Sequence, residues 1–237
     1  MSVVAIRPAS TVALLRDGQG GLECLLVRRN RALAFAGGFW VFPGGAVDPS
    51  DWDGAGDDAD VAARAAAARA AQEEAGVTPD PDCMVLVSHW TTPVAEKKRF
   101  STWIFAGVVD AHAEVEIDGS EIHDFQWITV SRALAQHRAG DLPMLPPTFI
   151  TLCTLARYAD TQAALAGERV SPCPRVLPLM VPIEGEGGFT TLYPGDAGYQ
   201  SGDIEAPGGR HRAYLDGGGW RYQYEGVSAS EPLYPLD

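Results

Sequence analysis

Apolar and polar segments alternate along the first half of the chain in a way that predicts strands. Residues 10–15 and 22–27 are apolar runs with β-branched members, and the segment from Asp17 to Gly21 between them is polar and rich in glycine. Two such runs joined by such a segment indicate a β-hairpin. Later apolar runs, one within 83–92 and one that ends at Val109, predict two more strands.

Three segments have the patterns of helices. The alanine-rich stretch Ala59–Ala75 strongly favours a helix, which would end at Gly76. Residues 131–138 predict a short helix with Ser131 as its N-cap. A longer amphipathic helix is predicted from the prolines after Leu145 to about Ala166, because prolines are tolerated in the first turn and apolar residues then follow a helical period.

The chain changes character after Ser171, where prolines and glycines become frequent. Short strands are expected within 175–183. Residues 210–216 and 219–225 alternate around Gly217-Gly218, which indicates a β-hairpin.

Composition narrows the classes of protein that fit this pattern. The 237 residues are 46% hydrophobic and 21% charged, which is typical of a globular protein with a real core. A net charge of −13 argues against binding to nucleic acid or to anionic membranes. The four cysteines form no Cys-x-x-Cys pair, and no run is long and apolar enough to span a bilayer. We therefore expect a cytoplasmic protein with free thiols.

The stretch from Gly37 to Val77 has the composition of a metal site. An apolar run ends in Phe42 and a Pro-Gly-Gly break, an acidic loop follows, and the predicted helix carries Glu73 and Glu74 near its end. Hard divalent cations prefer carboxylate and carbonyl oxygens. Glycine allows backbone carbonyls to approach such an ion closely. These residues alone also fit the alternative that the two glutamates only solvate a helix end.

The same stretch resembles the Nudix box, a motif of glycine, five residues, glutamate, seven residues, Arg-Glu, an apolar residue, any residue, Glu-Glu, any residue and glycine. Gly45 is followed by five residues and Asp51, and Arg69 begins a run that matches the second half through Gly76. Two departures stand out. Ala70 replaces the glutamate after the arginine, and an acidic, glycine-rich insertion lengthens the gap before the helix.

The resemblance implies an α/β fold, the Nudix α/β/α sandwich with a mixed sheet, plus a C-terminal helix and a β-rich extension. We expect residues 1–140 to form the Nudix hydrolase domain. Residues 141–237 would form the helix and β-hairpin extension packed on the same domain.

The resemblance also implies roles for individual residues. Mg²⁺ or Mn²⁺ would be held by Glu74, Glu73, the Gly45 carbonyl and Asp51. Arg69 lies four residues before Glu73, so the two side chains share a helix face and can pair. Glu121 precedes a tryptophan-containing strand and is the leading candidate for a general base; catalytic roles are therefore predicted for Glu74, Glu73, Glu121 and Arg69.

Substrate contacts are expected from a basic cluster, a basic turn and an aromatic residue. Arginine forks match phosphate oxygens, so the cluster before the box can bind a diphosphate. The Thr-Pro segment, the basic turn and the Pro-Pro-Thr segment resemble the Nudix branch that contains the peroxisomal coenzyme A diphosphatases and their bacterial relatives. The predicted substrate-binding residues are Arg28, Arg29, Arg31, Lys98, Arg99 and Phe42.

Two functions are compatible with these features. The first is a metal-dependent hydrolase of a nucleoside-diphosphate-linked metabolite, with coenzyme A or acyl-coenzyme A implied by the branch and ADP-ribose-like compounds as alternatives. The second is a Nudix-fold protein that binds such metabolites without turnover, which Ala70 suggests. The expected partners are small-molecule nucleotide diphosphates, and a homodimer is a further expectation.

Overall fold

A computed structural model describes residues 5–33, 36–183, 188–216, 218–228 and 230–234 of the chain. Strands β1 (Ile6–Gly18) and β2 (Gly21–Arg29) form the predicted hairpin, with Leu15 opposite Cys24. Gly21 has φ 109°, a left-handed conformation that glycine adopts without strain and that suits a tight turn.

The main sheet has eight strands and is mixed, as predicted. Its other strands are β3 (Trp40–Val41), β4 (Gly44–Ala46), β5 (Val85–Thr91), β6 (Arg99–Val108), β7 (Ile122–Thr129) and β8 (Arg175–Val176). The order is β3-β2-β1-β6-β5-β8, with β4 also paired to β1 and β7 to β2. β1 runs parallel to β6, and β5 runs parallel to β8, while the remaining pairs are antiparallel.

Helix α1 spans Ala59–Ala75, which confirms the predicted helix. The Asp58 side chain accepts hydrogen bonds from the backbone N–H groups of Asp60 and Val61, and Gly76 ends the helix with φ 70°. Its buried alanines pack with Val12, Leu14 and Leu25 of the sheet. Small alanine side chains let the helix axis lie close to the sheet, so residues at its end reach the strand ends.

The opposite face of the sheet is covered by α2 (Val130–Ala139), α3 (Pro146–Leu155) and α4 (Thr161–Val170). The N-cap of α2 is Thr129 and not Ser131, because the Thr129 hydroxyl accepts the hydrogen bond from the Arg132 N–H. Two short 3₁₀ turns, Pro49–Trp52 and Pro81–Cys83, flank α1 in the sequence.

The single helix predicted from Leu145 to about Ala166 is wrong, because the chain breaks between α3 and α4. Asp160 begins α4 as an N-cap whose side chain accepts from the Ala163 N–H. The Arg157 and Tyr158 side chains then reach Glu168 at 2.9 and 2.6 Å. These contacts satisfy the polar groups of the break, and α4 then packs on β1, β5 and β6 of the main sheet.

A second, antiparallel sheet follows in the order β12-β11-β10-β9. Its strands are β9 (Leu179–Pro182), β10 (Phe189–Leu192), β11 (Arg210–Asp216) and β12 (Gly219–Glu225). The predicted strands 210–216 and 219–225 are confirmed, although Gly217 of their turn lies outside the described residues. Trp220 ties the sheet to the first half of the chain. Its N–H bonds His137 Nε2 at 2.8 Å, and its Nε1 bonds the Met144 carbonyl at 2.9 Å.

The strand β8 belongs to the predicted extension but pairs with the main sheet, so the two parts of the chain share that sheet. The boundary between residues 140 and 141 stays a prediction. Within the part of the chain that the structure describes, no helix has the length and apolar character that a membrane span requires.

Candidate functional site

The break between β3 and β4 positions the end of α1. The Gly44 N–H donates a hydrogen bond to Glu74 Oε2 at 3.0 Å. A Cβ at position 44 would lie 2.5 Å from Thr11 Cβ and 2.6 Å from the Ser10 carbonyl oxygen, so only glycine fits there. The Glu74 carboxyl therefore faces the glycine turn. The close approach of the turn to the backbone of β1 requires glycine at position 44.

The Glu74 carboxyl is buried, with 11% of its side chain exposed. Burial raises its pKa from 4.5 to about 7, against the opposing effects of the Gly44 N–H and of Arg29. The negative charges of Glu121 and Asp118 raise that pKa further. A buried carboxyl with a raised pKa, at the end of a helix and beside a glycine turn, is typical of a functional group.

Arg29 lies between Glu74 and Glu121. Its Nη1 is 3.8 Å from Glu74 Oε1, and its Nη2 is 3.4 Å from Glu121 Oε2. The Nε of Arg29 is buried and has no hydrogen-bond partner among the described residues. The Asn30 N–H bonds the Glu121 carbonyl at 2.7 Å, which anchors this loop to the end of β2. The structure thus brings Arg29, Glu74 and Glu121 together.

Arg69 joins the start of the box to the helix. Its Nε and Nη2 bond the two carboxylate oxygens of Asp51 at 2.9 and 2.7 Å, and Nη2 also bonds the Ala46 carbonyl at 3.0 Å. The Asp48 N–H donates to Asp51 as well, at 2.8 Å. Burial alone would raise the pKa of Asp51, but the bonds from Arg69 and Asp48 outweigh it and lower that pKa.

Both oxygens of Asp51 are therefore engaged within the protein. This arrangement suits a residue that positions α1 against the glycine turn, whereas the sequence predicted a metal ligand. Glu73 is exposed and pairs with Arg69 Nη1 at 3.0 Å, as their spacing predicts. The two neighbouring glutamates thus have different surroundings, and of the two only Glu74 has a recorded hydrogen bond to the turn.

Ala70 occupies the position of the absent glutamate. It is buried, and a Cβ at Gly45 would lie 3.8 Å from the Ala70 Cβ. A longer acidic side chain at position 70 would start beside the glycine turn.

Among the described residues, no group of three or more His, Cys, Asp or Glu side chains is arranged to hold a metal ion. One buried carboxylate beside a glycine turn still fits Mg²⁺ or Mn²⁺, since Mg²⁺ commonly uses one or two carboxylates, waters and substrate phosphates. The donor chemistry of Glu74 therefore fits a cation that is shared with a phosphate ligand.

The predicted substrate-binding residues are placed in different environments. Arg28 bonds the Gly38 carbonyl at 3.3 Å and stacks over Trp40, and Arg31 and Lys98 are exposed. Arg99 is buried and its Nε bonds the Thr92 carbonyl at 3.1 Å, so it supports the turn between β5 and β6. Arg29 contacts the two carboxylates already described.

Phe42 lines a cavity of about 640 Å³ between the main sheet and the second sheet. Part of its wall comes from the C-terminal region, through Met180, Phe189, Thr191, Leu215 and Trp220. Sequence reasoning missed these five residues, although the alternation within 210–225, which contains Leu215 and Trp220, indicates strands. A second cavity of about 460 Å³ is lined by none of the predicted site residues.

Comparison with known proteins agrees with this architecture. A family model described as the NUDIX domain matches residues 6–147. The chain is 25% identical over 210 residues to "Putative nudix hydrolase 7" of Caenorhabditis elegans, a match that covers 74% of this chain and 69% of that protein. The crystal structure of a NUDIX hydrolase from Alicyclobacillus acidocaldarius is 26% identical, with a TM-score of 0.64, and covers 72% of this chain and 100% of that one. The predicted mixed α/β fold is confirmed.

Proposed function

Because this chain belongs to the NUDIX domain family, we propose that it hydrolyses the diphosphate linkage of a nucleoside-diphosphate-type metabolite with the help of Mg²⁺ or Mn²⁺. The observation that carries the proposal is the buried Glu74 carboxylate, held at 3.0 Å by the Gly44 N–H. It is the box acid for which the structure records a direct hydrogen bond to the glycine turn.

Glu74 and the Gly45 carbonyl, with Glu73 beside them, would hold the cation. When bound, the ion neutralises charge on the diphosphate and lowers the pKa of a water molecule. The chain's own residues do the rest of the positioning. Arg69 clamps Asp51 and so fixes α1 against β4, while Arg29 supplies positive charge between Glu74 and Glu121.

In the chemical step, a water oxygen forms a bond to one phosphorus atom. The bond from that phosphorus to the bridging oxygen breaks, and the leaving phosphate keeps the electron pair. Glu121 is our candidate for the base that accepts the proton of the water, because Arg29 connects it to Glu74 and it is exposed to solvent.

For the substrate we propose coenzyme A or an acyl-coenzyme A. The Thr-Pro, basic-turn and Pro-Pro-Thr segments support this choice through their resemblance to the coenzyme A diphosphatase branch. Arg31 and Lys98 are exposed, and we propose that they contact phosphate groups of the substrate. ADP-ribose is the competing substrate, since it offers the same diphosphate on a more polar molecule.

The test is a hydrolysis panel of coenzyme A, octanoyl-coenzyme A and ADP-ribose with Mn²⁺ in ¹⁸O-labelled water. We expect two phosphomonoester products, one of which carries the ¹⁸O label. Tight binding of all three compounds without any cleavage would overturn the proposal and leave a metabolite-binding protein.

A further inference from the structure

We propose that the 640 Å³ cavity, called here the apolar cleft, binds an aliphatic arm of the substrate, and that the second sheet selects substrates by that arm. This inference rests on the proposed hydrolysis of a diphosphate and names the substrate class more narrowly. It assigns a binding role to the C-terminal strands, which the box motif does not reach.

Two cross-strand pairs of the second sheet form one wall of the cleft. Met180 of β9 lies opposite Thr191 of β10, and Leu215 of β11 lies opposite Trp220 of β12. Directly opposed residues in an antiparallel pair project from the same face. All four residues line the cleft, so this face of the sheet presents a largely apolar surface toward the first half of the chain.

The cleft borders the segment that leads into the glycine turn. Thr11 and Phe42 line it, and the Thr11 hydroxyl bonds the carbonyls of Phe42 and Pro43 at 3.2 and 2.6 Å. The next residue, Gly44, donates its N–H to Glu74. A diphosphate bound beside Glu74 would therefore lie near the part of the cleft that Thr11 and Phe42 line.

The lining of the cleft does not suit a phosphate group. Glu96, at an exposed position, is the one charged side chain among the described lining residues. His137 also lines the cleft, but burial lowers its pKa and both ring nitrogens are bonded, to the Leu142 carbonyl and to the Trp220 N–H. An anion inside the cleft would lack a cation, so the phosphates must stay outside it.

A nucleobase is also a poor match, because it needs several hydrogen-bonding partners when buried. The Thr11 and Thr92 hydroxyls already bond backbone groups, and the Trp220 Nε1 bonds the Met144 carbonyl. Among the described lining residues, Thr191 Oγ1 is the buried side-chain polar atom without a partner. The cleft thus fits an aliphatic arm that carries at most an isolated polar group such as an amide or ester.

Calorimetry with the Glu74→Gln protein tests whether the apolar cleft binds an aliphatic arm. The variant is used because it should not cleave the ligand during the titration. Octanoyl-coenzyme A and coenzyme A share every group except the acyl chain. We expect octanoyl-coenzyme A to bind about tenfold more tightly, because burial of several methylene groups is favourable. Equal affinity for the two ligands would overturn the inference.

A pair of matched variants tests whether the acyl chain binds in the apolar cleft. Leu215 and Leu177 are both exposed leucines, at 44% and 38%, but only Leu215 lines the cleft. Leu215→Asp, introduced into the Glu74→Gln protein, should reduce the affinity ratio of the two ligands to nearly one, whereas Leu177→Asp should leave it unchanged. An unchanged ratio in a folded Leu215→Asp protein would place the acyl chain elsewhere.

The two proposals fail in different ways. Tighter binding of octanoyl-coenzyme A without cleavage by the wild-type protein would remove the hydrolase and keep the cleft assignment. Cleavage at equal rates with equal affinities would keep the hydrolase and remove the cleft assignment.

Discussion

Arg69 pairs with three carboxylates and Arg29 with two, and the geometries of the two arginines differ. Arg69 meets both oxygens of Asp51 at 2.9 and 2.7 Å and pairs with Glu73 at 3.0 Å. Arg29 lies 3.8 Å from Glu74 and 3.4 Å from Glu121. The first arrangement is a close, bidentate ion pair, which holds its partners in a fixed orientation.

The second arrangement leaves hydrogen-bonding capacity unused. Arg29 Nε is buried without a partner among the described residues, and the Glu74 pKa is raised to about 7. Loosely paired charges in a partly buried position retain affinity for an incoming ion or phosphate. We therefore assign the pair of Arg69 and Asp51 to positioning of the helix, and Arg29 with Glu74 to binding.

The largest effect is expected from Glu74→Gln. The amide keeps the size of the side chain but removes the charge that would hold the cation. Diphosphate hydrolysis should fall by on the order of a thousandfold. Steady-state rates with Mn²⁺ provide the measurement, and Glu114→Gln, at an exposed position, is the control that should retain activity. Comparable rates for the two variants would move the site away from Glu74.

Asp51→Ala breaks the close pair. It leaves Arg69, which is 27% exposed, without its bidentate partner. The free energy of unfolding should fall by about 2–3 kcal/mol, which is less than for a fully buried pair because water reaches the arginine. Urea denaturation checks this value. Asp53→Asn changes an exposed neighbour and should lower the free energy of unfolding by less than about 0.5 kcal/mol. An equal loss in both variants would mean that the ion pair between Arg69 and Asp51 does not stabilise the fold.

The pH dependence of stability separates the two groups further. The pKa of Glu74 is about 7 in the folded protein, whereas a glutamate in the unfolded chain has a pKa of 4.5. The folded protein therefore binds this proton more tightly than the unfolded chain does. The stabilisation that this group contributes is fully present below pH 4.5 and is lost as the pH rises through about 7. The loss is about 3 kcal/mol.

Urea denaturation of the wild type and Glu74→Gln in EDTA, from about pH 4 to about pH 8, isolates this contribution. The difference between the two proteins should shift in favour of Glu74→Gln as pH rises. A constant difference would show that Glu74 titrates at its ordinary pKa.

Ala70→Glu should have the smallest effect, and in the opposite direction. The new carboxylate would start beside Gly45 and add an oxygen ligand near Glu74. The Mn²⁺ concentration needed for half-maximal activity should fall by about tenfold. Ala70→Gln has the same length without the charge and serves as the control. If both variants behave alike, the absent box glutamate does not limit metal binding.

Local patterns predicted α1 and the first hairpin well. Helix α1 has Asp58 as its N-cap, a run of alanines and Gly76 at its end, so every local preference agrees. The break after α3 was missed because it depends on contacts between Arg157, Tyr158 and Glu168, which apolar periodicity does not record.

The candidate site was only partly predictable. The box motif identified Glu74 and the i,i+4 contact of Arg69 with Glu73, since both follow from spacing on one helix. The position of Arg29 between Glu74 and Glu121 depends on how β2, α1 and a distant loop meet in three dimensions. The apolar cleft likewise requires two sheets to face each other, and no local pattern describes that packing.

The most direct test of this account is an electron paramagnetic resonance titration of Mn²⁺ with the wild type, Glu74→Gln and Glu114→Gln. We predict that the wild type and Glu114→Gln bind Mn²⁺ alike, and that Glu74→Gln binds it at least about tenfold more weakly. Equal Mn²⁺ affinity in all three proteins would contradict the claim that the buried carboxylate at the glycine turn is the centre of the site.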